Sequence, residues 1–441
     1  MPISQQELGR RLKEAREACR FTQEEVAREL GFSRSTVAQI ELGNRAVSGL
    51  ELDRLAELFG RDMGSFLLRE AKPQDALTAI FRAHPEVSGE REVGKALRRS
   101  VNLGRELTHL EQLLGIDRSQ TDPPAYQLPP PRNRWHAIQQ GEQVAERERC
   151  RLELGHAPLP DLIRLLGSLG VRLAQVDLPP DVSGITLIEP DLGVLVVVNR
   201  SHHVLRRRFS CAHEYAHVLF DRDLRGLISQ ERNRNELLEI RANAFAACFL
   251  MPAEGVRHFV HGLGKGRASR LRAEVFDVFG EGREPSPNPR VVRVEARSQP
   301  GSQTLQLYDV VQLAHHFRVS RLSAIYRLRN LRLIDEARLA ELLEQEQQGM
   351  GRALAEALGL LEKDEPGLRD AFRQRFLALG LEALRRNLIS KSKLVELAAM
   401  VDVSNRELDH LLDQLGLSEV EAEVLSPEGS TWPMPVVNGS S

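Results

Sequence analysis

His213-Glu214-Tyr215-Ala216-His217 is the stretch whose residue types and spacing can do chemistry. On a helix, positions i and i+4 share one face, so His213 and His217 can grip a single metal ion. Glu214 is rotated toward the side where an attacking water would lie, and a carboxylate there can take the water's proton. Such a five-residue pattern arises by chance in roughly a few per cent of chains of this length, so the neighbourhood has to supply the rest of a site. The third ligand has to come from another segment. Residues 236–252 read as one helix ended by Pro252, with Glu239 one turn before Asn243 so that both can face the metal helix. A carboxylate on the metal and an amide bonding a ligand's other polar atom make a sound site. Glu236, one turn earlier on the same face, is the rival ligand.

Several elements must position these side chains. A helix over about 135–154 ends at Gly155, and Leu159, Leu162, Ile163, Leu165 and Leu166 form a second, stopped by 167–170. Segments 171–176, 184–188 and 194–198 then read as strands, with Asp191-Leu192-Gly193 as a hairpin turn. A small twisted sheet ahead of an active-site helix leaves an exposed edge strand that can take an extended peptide as an added strand. His202 and His203 read as solvated loop histidines, and Tyr215 as packing.

The rest of the chain divides around this segment. Residues 71–121 carry apolar positions at helical intervals (Leu77, Ile80 and Phe81; then Val93, Leu97 and Val101) and read as a helical spacer or dimerisation segment, which leaves a homodimer open. Residues 122–132 hold Pro123, Pro124, Pro129, Pro130 and Pro131, too dense for helix or central strand, and read as a semi-rigid linker. The metal domain follows over 133–260. Residues 261–305 read as a mobile insertion with a short strand at 291–294. Val319-Ser320 and the apolar positions around it read as a helix-turn-helix-like unit over 306–336. A helical region over 337–425 contains a third such pattern at 391–417, and 426–441 read as a disordered tail.

At the front, over 1–70, Thr22-Gln23-Glu24-Glu25 is a capping box, Gly31 breaks the helix and Ser33 caps the next. Two short helices around a glycine turn, with polar side chains exposed on the second, describe a helix-turn-helix. The run from Thr22 to Ala27 and from Ser33 to Arg45 resembles the phage-repressor (XRE) type of DNA-binding domain. That resemblance implies that Gln23, Arg34, Ser35, Thr36 and Gln39 approach bases or phosphates, and Asn44 and Arg45 the backbone.

The segment 135–260 resembles the ImmA/IrrE family of bacterial zinc metallopeptidases. The resemblance rests on Arg206-Arg207-Arg208-Phe209, Ala212-His213-Glu214-Tyr215-Ala216-His217, Glu239-Ile240-Arg241-Ala242-Asn243-Ala244-Phe245-Ala246 and Leu250-Met251-Pro252, with Ser183-Gly184 and Val198-Asn199 around the hairpin. It implies one catalytic zinc ion on His213, His217 and Glu239, with Glu214 as general base. It also implies cleavage of a partner helix-turn-helix repressor, releasing stress-response or mobile-element genes.

Composition fits these readings. The 441 residues carry a net charge of −2, so DNA contact has to come from a local surface. Aromatics are few at 5%, and Leu, Ala, Arg and Glu abound, which favours helix. The four cysteines are scattered without CxxC spacing, and neither a leader nor a bilayer-spanning run is present, so the expectation is a cytoplasmic protein with reduced thiols and no membrane partner. The expected architecture is multi-domain and mainly α, with an α+β zincin-like metallopeptidase domain behind an all-α helix-turn-helix domain. The expected function is a zinc endopeptidase and DNA-binding regulator. The alternative is a non-proteolytic regulator whose metallopeptidase-like domain senses metal or a ligand.

Overall fold

The computed structural model describes residues 3–19, 21–59, 63–67, 76–84, 91–117, 122–159, 161–224, 226–265, 271–275, 290–294, 303–361 and 367–417. Two compact units emerge, one formed by Met1–Gly104 with Arg118–Phe372 and the other by Arg105–Asp117 with Arg373–Ser441.

In the first unit, α1 (Gln5–Ala18), α2 (Gln23–Leu30), α3 (Arg34–Glu41), α4 (Gly49–Phe59) and α5 (Met63–Leu67) form the expected all-α helix-turn-helix domain. Thr22 and Glu25 cap α2 reciprocally, Gly31 takes the left-handed turn at φ 70°, and Ser33 accepts from the Thr36 N–H to start α3. Leu12, Val26, Val37, Ile40 and Leu55 fill its core. The buried Arg16 of α1 donates to Glu41 of α3 at 2.5 Å, so a charged pair ties the two helices together.

The helices α6 (Ala76–Ala83), α7 (Arg91–Leu113), α8 (Arg134–Arg151) and α9 (Leu162–Ser168) precede the sheet, whose strands are β1 (Val171–Val176), β2 (Val182–Glu189), β3 (Gly193–Asn199) and β4 (Gly226–Gln230). The sheet is mixed, in the order β1-β3-β2-β4, with β1 parallel to β3 and the other pairs antiparallel. Between β3 and β4 runs α10 (Val204–Phe220), and after β4 come α11 (Leu237–Leu250) and α12 (Ala253–Gly262). The continuous apolar run of β3 follows from burial on both faces. Val194, Val196 and Val198 join the core under α10, while Leu195 and Val197 face Leu77, Ile80 and Phe81 of α6 and Val93, Leu97 and Val101 of α7. The helices before the proline segment therefore cover the back of the sheet.

The proline segment lies against the same domain. The Tyr126 N–H donates to Leu219 O of α10 at 2.8 Å, and Gln140 of α8 donates to Pro129 O at 2.8 Å. The Tyr126 hydroxyl donates to Glu148 Oε2 at 2.8 Å, and Tyr215 of α10 donates to Glu148 Oε1 at 2.5 Å. Burial works to raise the Glu148 carboxyl, but hydrogen bonds from Arg151, Tyr215 and Tyr126 outweigh it and hold it below the usual carboxylate range. A group lowered in this way stabilises the fold above its unfolded value of about 4.3, and that contribution is lost as pH falls through the folded value. Glu148→Gln is therefore expected to cost about 1–3 kcal/mol at pH 7. In urea unfolding the gap to the wild type should narrow below about pH 4; a gap independent of pH would contradict this account.

Further along lie the hairpin β5 (Leu271–Val275) with β6 (Arg290–Val294), then α13 (Leu307–Phe317), α14 (Arg321–Asn330), α15 (Glu336–Gln347) and α16 (Met350–Ala357). Residues of α13 and α14 share one core with α10, α11 and α12, and the buried Arg327 donates to Met251 O at 3.0 Å. The strand expected at 291–294 is β6, most of the insertion expected around it lies outside the described residues, and so does the tail expected at 426–441. In the second unit, α17 (Gly367–Arg385) from residue 373 onward, α18 (Lys391–Met400) and α19 (Asn405–Leu415) bury Phe376, Leu394, Leu397, Leu408 and Leu412. Three turns share one grammar of a left-handed residue, an apolar residue and a capping Ser: Gly31-Phe32-Ser33, Arg318-Val319-Ser320 and Asp402-Val403-Ser404. Among the described residues no helix is long and apolar enough to cross a membrane.

Candidate metal centre

His213, Glu214 and His217 stand in the middle of α10, a helix buried on nearly every side from Ser210 to Leu219. Facing it is α11, which ends at Leu250 shortly before Pro252, and whose Glu239 is buried while Glu236 is exposed at the N-cap. The geometry thus brings Glu239, and not Glu236, to the two histidines. His213 Nε2 is 3.1 Å and His217 Nε2 3.5 Å from Glu239 carboxylate oxygens, and the two Nε2 atoms are 3.2 Å apart. Ligand atoms about 2.0–2.1 Å from a tetrahedral ion lie about 3.3 Å from one another, so these separations suit one ion. The three residues form a group able to hold a metal, the only such group among the described residues.

The outer ring nitrogens are already engaged. His213 Nδ1 is 3.0 Å from Asn243 Oδ1, and His217 Nδ1 is 2.8 Å from Asp221 Oδ2. Both acceptors draw the ring proton to Nδ1 and turn the Nε2 lone pairs inward. Asp221 also accepts from Arg241 at 2.5 Å, and that guanidinium lies 4.9 Å over the Phe220 ring. Burial opposes charge here, yet Asp221 and Glu239 raise the His217 imidazole, and the two imidazoles hold Glu239 below the usual carboxylate range. The donor set and its field both suit a cation.

Glu214 is fully buried and lies outside the group of three. Its Oε2 accepts from Thr186 Oγ1 on β2 at 2.7 Å, and its Oε1 meets no hydrogen-bond partner among the described residues. Asn243, expected at the site from sequence, sits on His213; Asp221, Arg241 and Thr186 were not foreseen. Asp221 could have been found, since it stands four residues after His217 and at the end of the same helix. Thr186 reaches Glu214 only through the sheet. Tyr215 is packing with a polar tip on Glu148. His203 is exposed at the start of α10, but His202 is buried, within 3.0 Å of Pro180 O, rather than solvated.

The sheet's edges are β1 and β4, and β4, beside β2, was not foreseen from sequence. Glu231 N–H donates to Asp181 O on the β2 side, which turns the main-chain groups of Ile228 and Gln230 outward. The Asn233 side chain meets both, accepting from the Gln230 N–H at 3.0 Å and donating to Ile228 O at 2.7 Å. An incoming peptide finds that part of the edge already paired.

At the N-terminus, Arg34, Ser35 and Gln39 are exposed on α3, and Asn44 and Arg45 are exposed just beyond it, while Thr36 is half-buried. Gln23 donates to Glu41 at 2.9 Å, Asn44 to Gln39 at 3.1 Å, and Arg45 to Glu51 at 2.7 Å. The corresponding helix of the third turn, α19, exposes Glu407, Asp409 and Asp413 beside Arg406, with Asp409 paired to Lys391.

A helix bearing two histidines and a glutamate, laid on a small mixed sheet with a buried carboxylate from the next long helix, gives a peptidase-like fold with a group that could hold a metal. More particularly, residues 170–279 match the family model of the IrrE N-terminal-like domain, and residues 7–64 match that of a helix-turn-helix domain. The chain thus carries a domain of the ImmA/IrrE peptidase kind behind a helix-turn-helix domain, which supports DNA binding. No curated protein matches the chain.

Proposed function

We propose that this chain is a zinc-dependent endopeptidase and DNA-binding regulator that cleaves a partner helix-turn-helix repressor, freeing stress-response or mobile-element genes. The observation that carries the reading is the pairing of three residues able to hold a metal with a buried carboxylate that has one oxygen free of protein donors among the described residues. His213, His217 and Glu239 would hold the ion, which when bound polarises a scissile carbonyl and makes water a better nucleophile. Glu214 Oε1 takes a proton from the attacking water as its oxygen bonds to the carbonyl carbon. The same carboxyl then gives that proton to the amide nitrogen as the C–N bond breaks, so one water is consumed and an acid and an amine leave. Asn243 and Asp221 keep the imidazole lone pairs turned inward throughout.

On the DNA side, Gln23, Arg34, Ser35, Thr36 and Gln39 would meet bases or phosphates, with Asn44 and Arg45 at the backbone. Binding beside a repressor would raise its effective concentration at the peptidase. Arg34→Ala should weaken binding to a duplex selected from a random-sequence pool by about 1–3 kcal/mol; unchanged affinity would remove α3 from the interface. For the peptidase, the test is a search for new protein N-termini in cells carrying the wild type or Glu214→Gln. Products that depend on Glu214 and end within a helix-turn-helix protein are expected. Equal gene regulation by both forms, without such products, would favour a sensor that cuts nothing.

A further inference from the structure

We infer that Thr186 is a positioning residue for Glu214, selecting from the sheet which carboxylate oxygen is free to act. The inference deepens the peptidase reading above and rests on it. Thr186 is buried and lies on β2, two residues after Gly184, so both present the same face of the strand to α10. The Thr186 hydroxyl donates to Glu214 Oε2 at 2.7 Å. Gly184 clears the other side: a Cβ there would lie 2.4 Å from Glu214 Oε1 and 2.7 Å from its carboxyl carbon. Of the two Glu214 oxygens, Oε1 is thus left without a protein donor among the described residues.

The chemistry needs this asymmetry. A carboxylate on a helix can rotate about its last torsion, which is broad for a glutamate. Tying Oε2 to a β-branched residue with few rotamers removes that freedom, because Thr186 is itself held in a strand paired on both sides. A hydroxyl donor also leaves the carboxylate uncompensated by a full charge, so Oε1 stays available to accept a proton. Thr186 touches neither reacting atom nor metal; it acts through Glu214.

The experiment compares full-length wild type, Thr186→Val and Thr186→Ser, each loaded with zinc, on a pooled library of quenched fluorescent peptides. Thr186→Val keeps the shape and loses the hydroxyl; Thr186→Ser keeps the hydroxyl. Thr186→Val should hold the same zinc per chain by elemental analysis and keep KM, while kcat falls about 10–100-fold. Thr186→Ser should recover most of kcat. A Thr186→Val variant with wild-type kcat would overturn the inference, as would loss of zinc in that variant or failure of Thr186→Ser to recover. A crystal structure of the zinc-loaded wild type tests the contact by itself: Glu214 turned away from Thr186 would overturn the inference whatever the turnover. Wild type that holds zinc and cleaves no peptide would sink the peptidase reading, and the crystal contact would then decide the Thr186 role alone.

Discussion

Glu214→Gln is expected to leave zinc content at the wild-type level and to reduce peptide cleavage by about 10²–10⁴-fold. The two halves of that result have different physical sources. Metal retention is expected because the group that could hold the ion is His213, His217 and Glu239, with Glu214 outside it. An amide has the volume of the carboxylate and can still accept from Thr186, so the packing between α10 and β2 survives. Rate loss follows because an amide oxygen is far too weak a base to take the water's proton or to hand it to the amine. Removing one negative charge from a buried site weakens the hold on a cation to some extent, so zinc per chain has to be measured at saturating metal. The readouts are elemental analysis and turnover of the peptide library. Cleavage at the wild-type rate would exclude Glu214 as the base. Loss of zinc at saturation would instead make it a ligand.

His213 and His217 were legible because their relation is local: a helix fixes i and i+4 on one face whatever surrounds it. Glu239 was legible with a rival, since Glu236 shares its face, and only burial of one and exposure of the other separates them. The back of the sheet was not legible. Leu77, Ile80, Leu97 and Val101 announce an apolar helix face, but periodicity cannot say that β2 and β3 cover it. The strand β4 was missed because Gly226-Leu227-Ile228-Ser229-Gln230 is short and has only one strong β-former, and its pairing with β2 reaches back across the whole of α10. Thr186 and Asn233 owe their contacts to that sheet. Long-range register is set by the total packing of both faces, so residues whose role depends on it stay silent in a single sequence. The proline segment shows the converse limit: composition named its extended backbone, while the contacts of Tyr126 with α8 and α10 that hold it in place depend on the fold.

Gly141→Ala is the substitution that joins packing to the site most directly. Two opposing effects act at this position. Alanine is the better helix former by about 0.5–1 kcal/mol. Against that, a Cβ at Gly141 of α8 would lie 2.4 Å from Arg241 O and 2.8 Å from Phe245 N of α11. Both are backbone atoms, so no rotamer change relieves the overlap, and the two helices have to part. Overpacking of this kind costs about 1–3 kcal/mol and outweighs the gain in propensity. The displaced stretch carries Asn243 and follows Glu239, so the shift moves the proposed third ligand and the amide on His213 away from α10. Urea unfolding should therefore show a lower midpoint, and zinc competition a weaker hold, with Gly141→Val worse than Gly141→Ala in both. An alanine variant as stable as the wild type at unchanged zinc affinity would mean that α11 can slide without disturbing the centre. Stability lost with zinc affinity intact would separate the packing of α8 and α11 from the placement of Glu239.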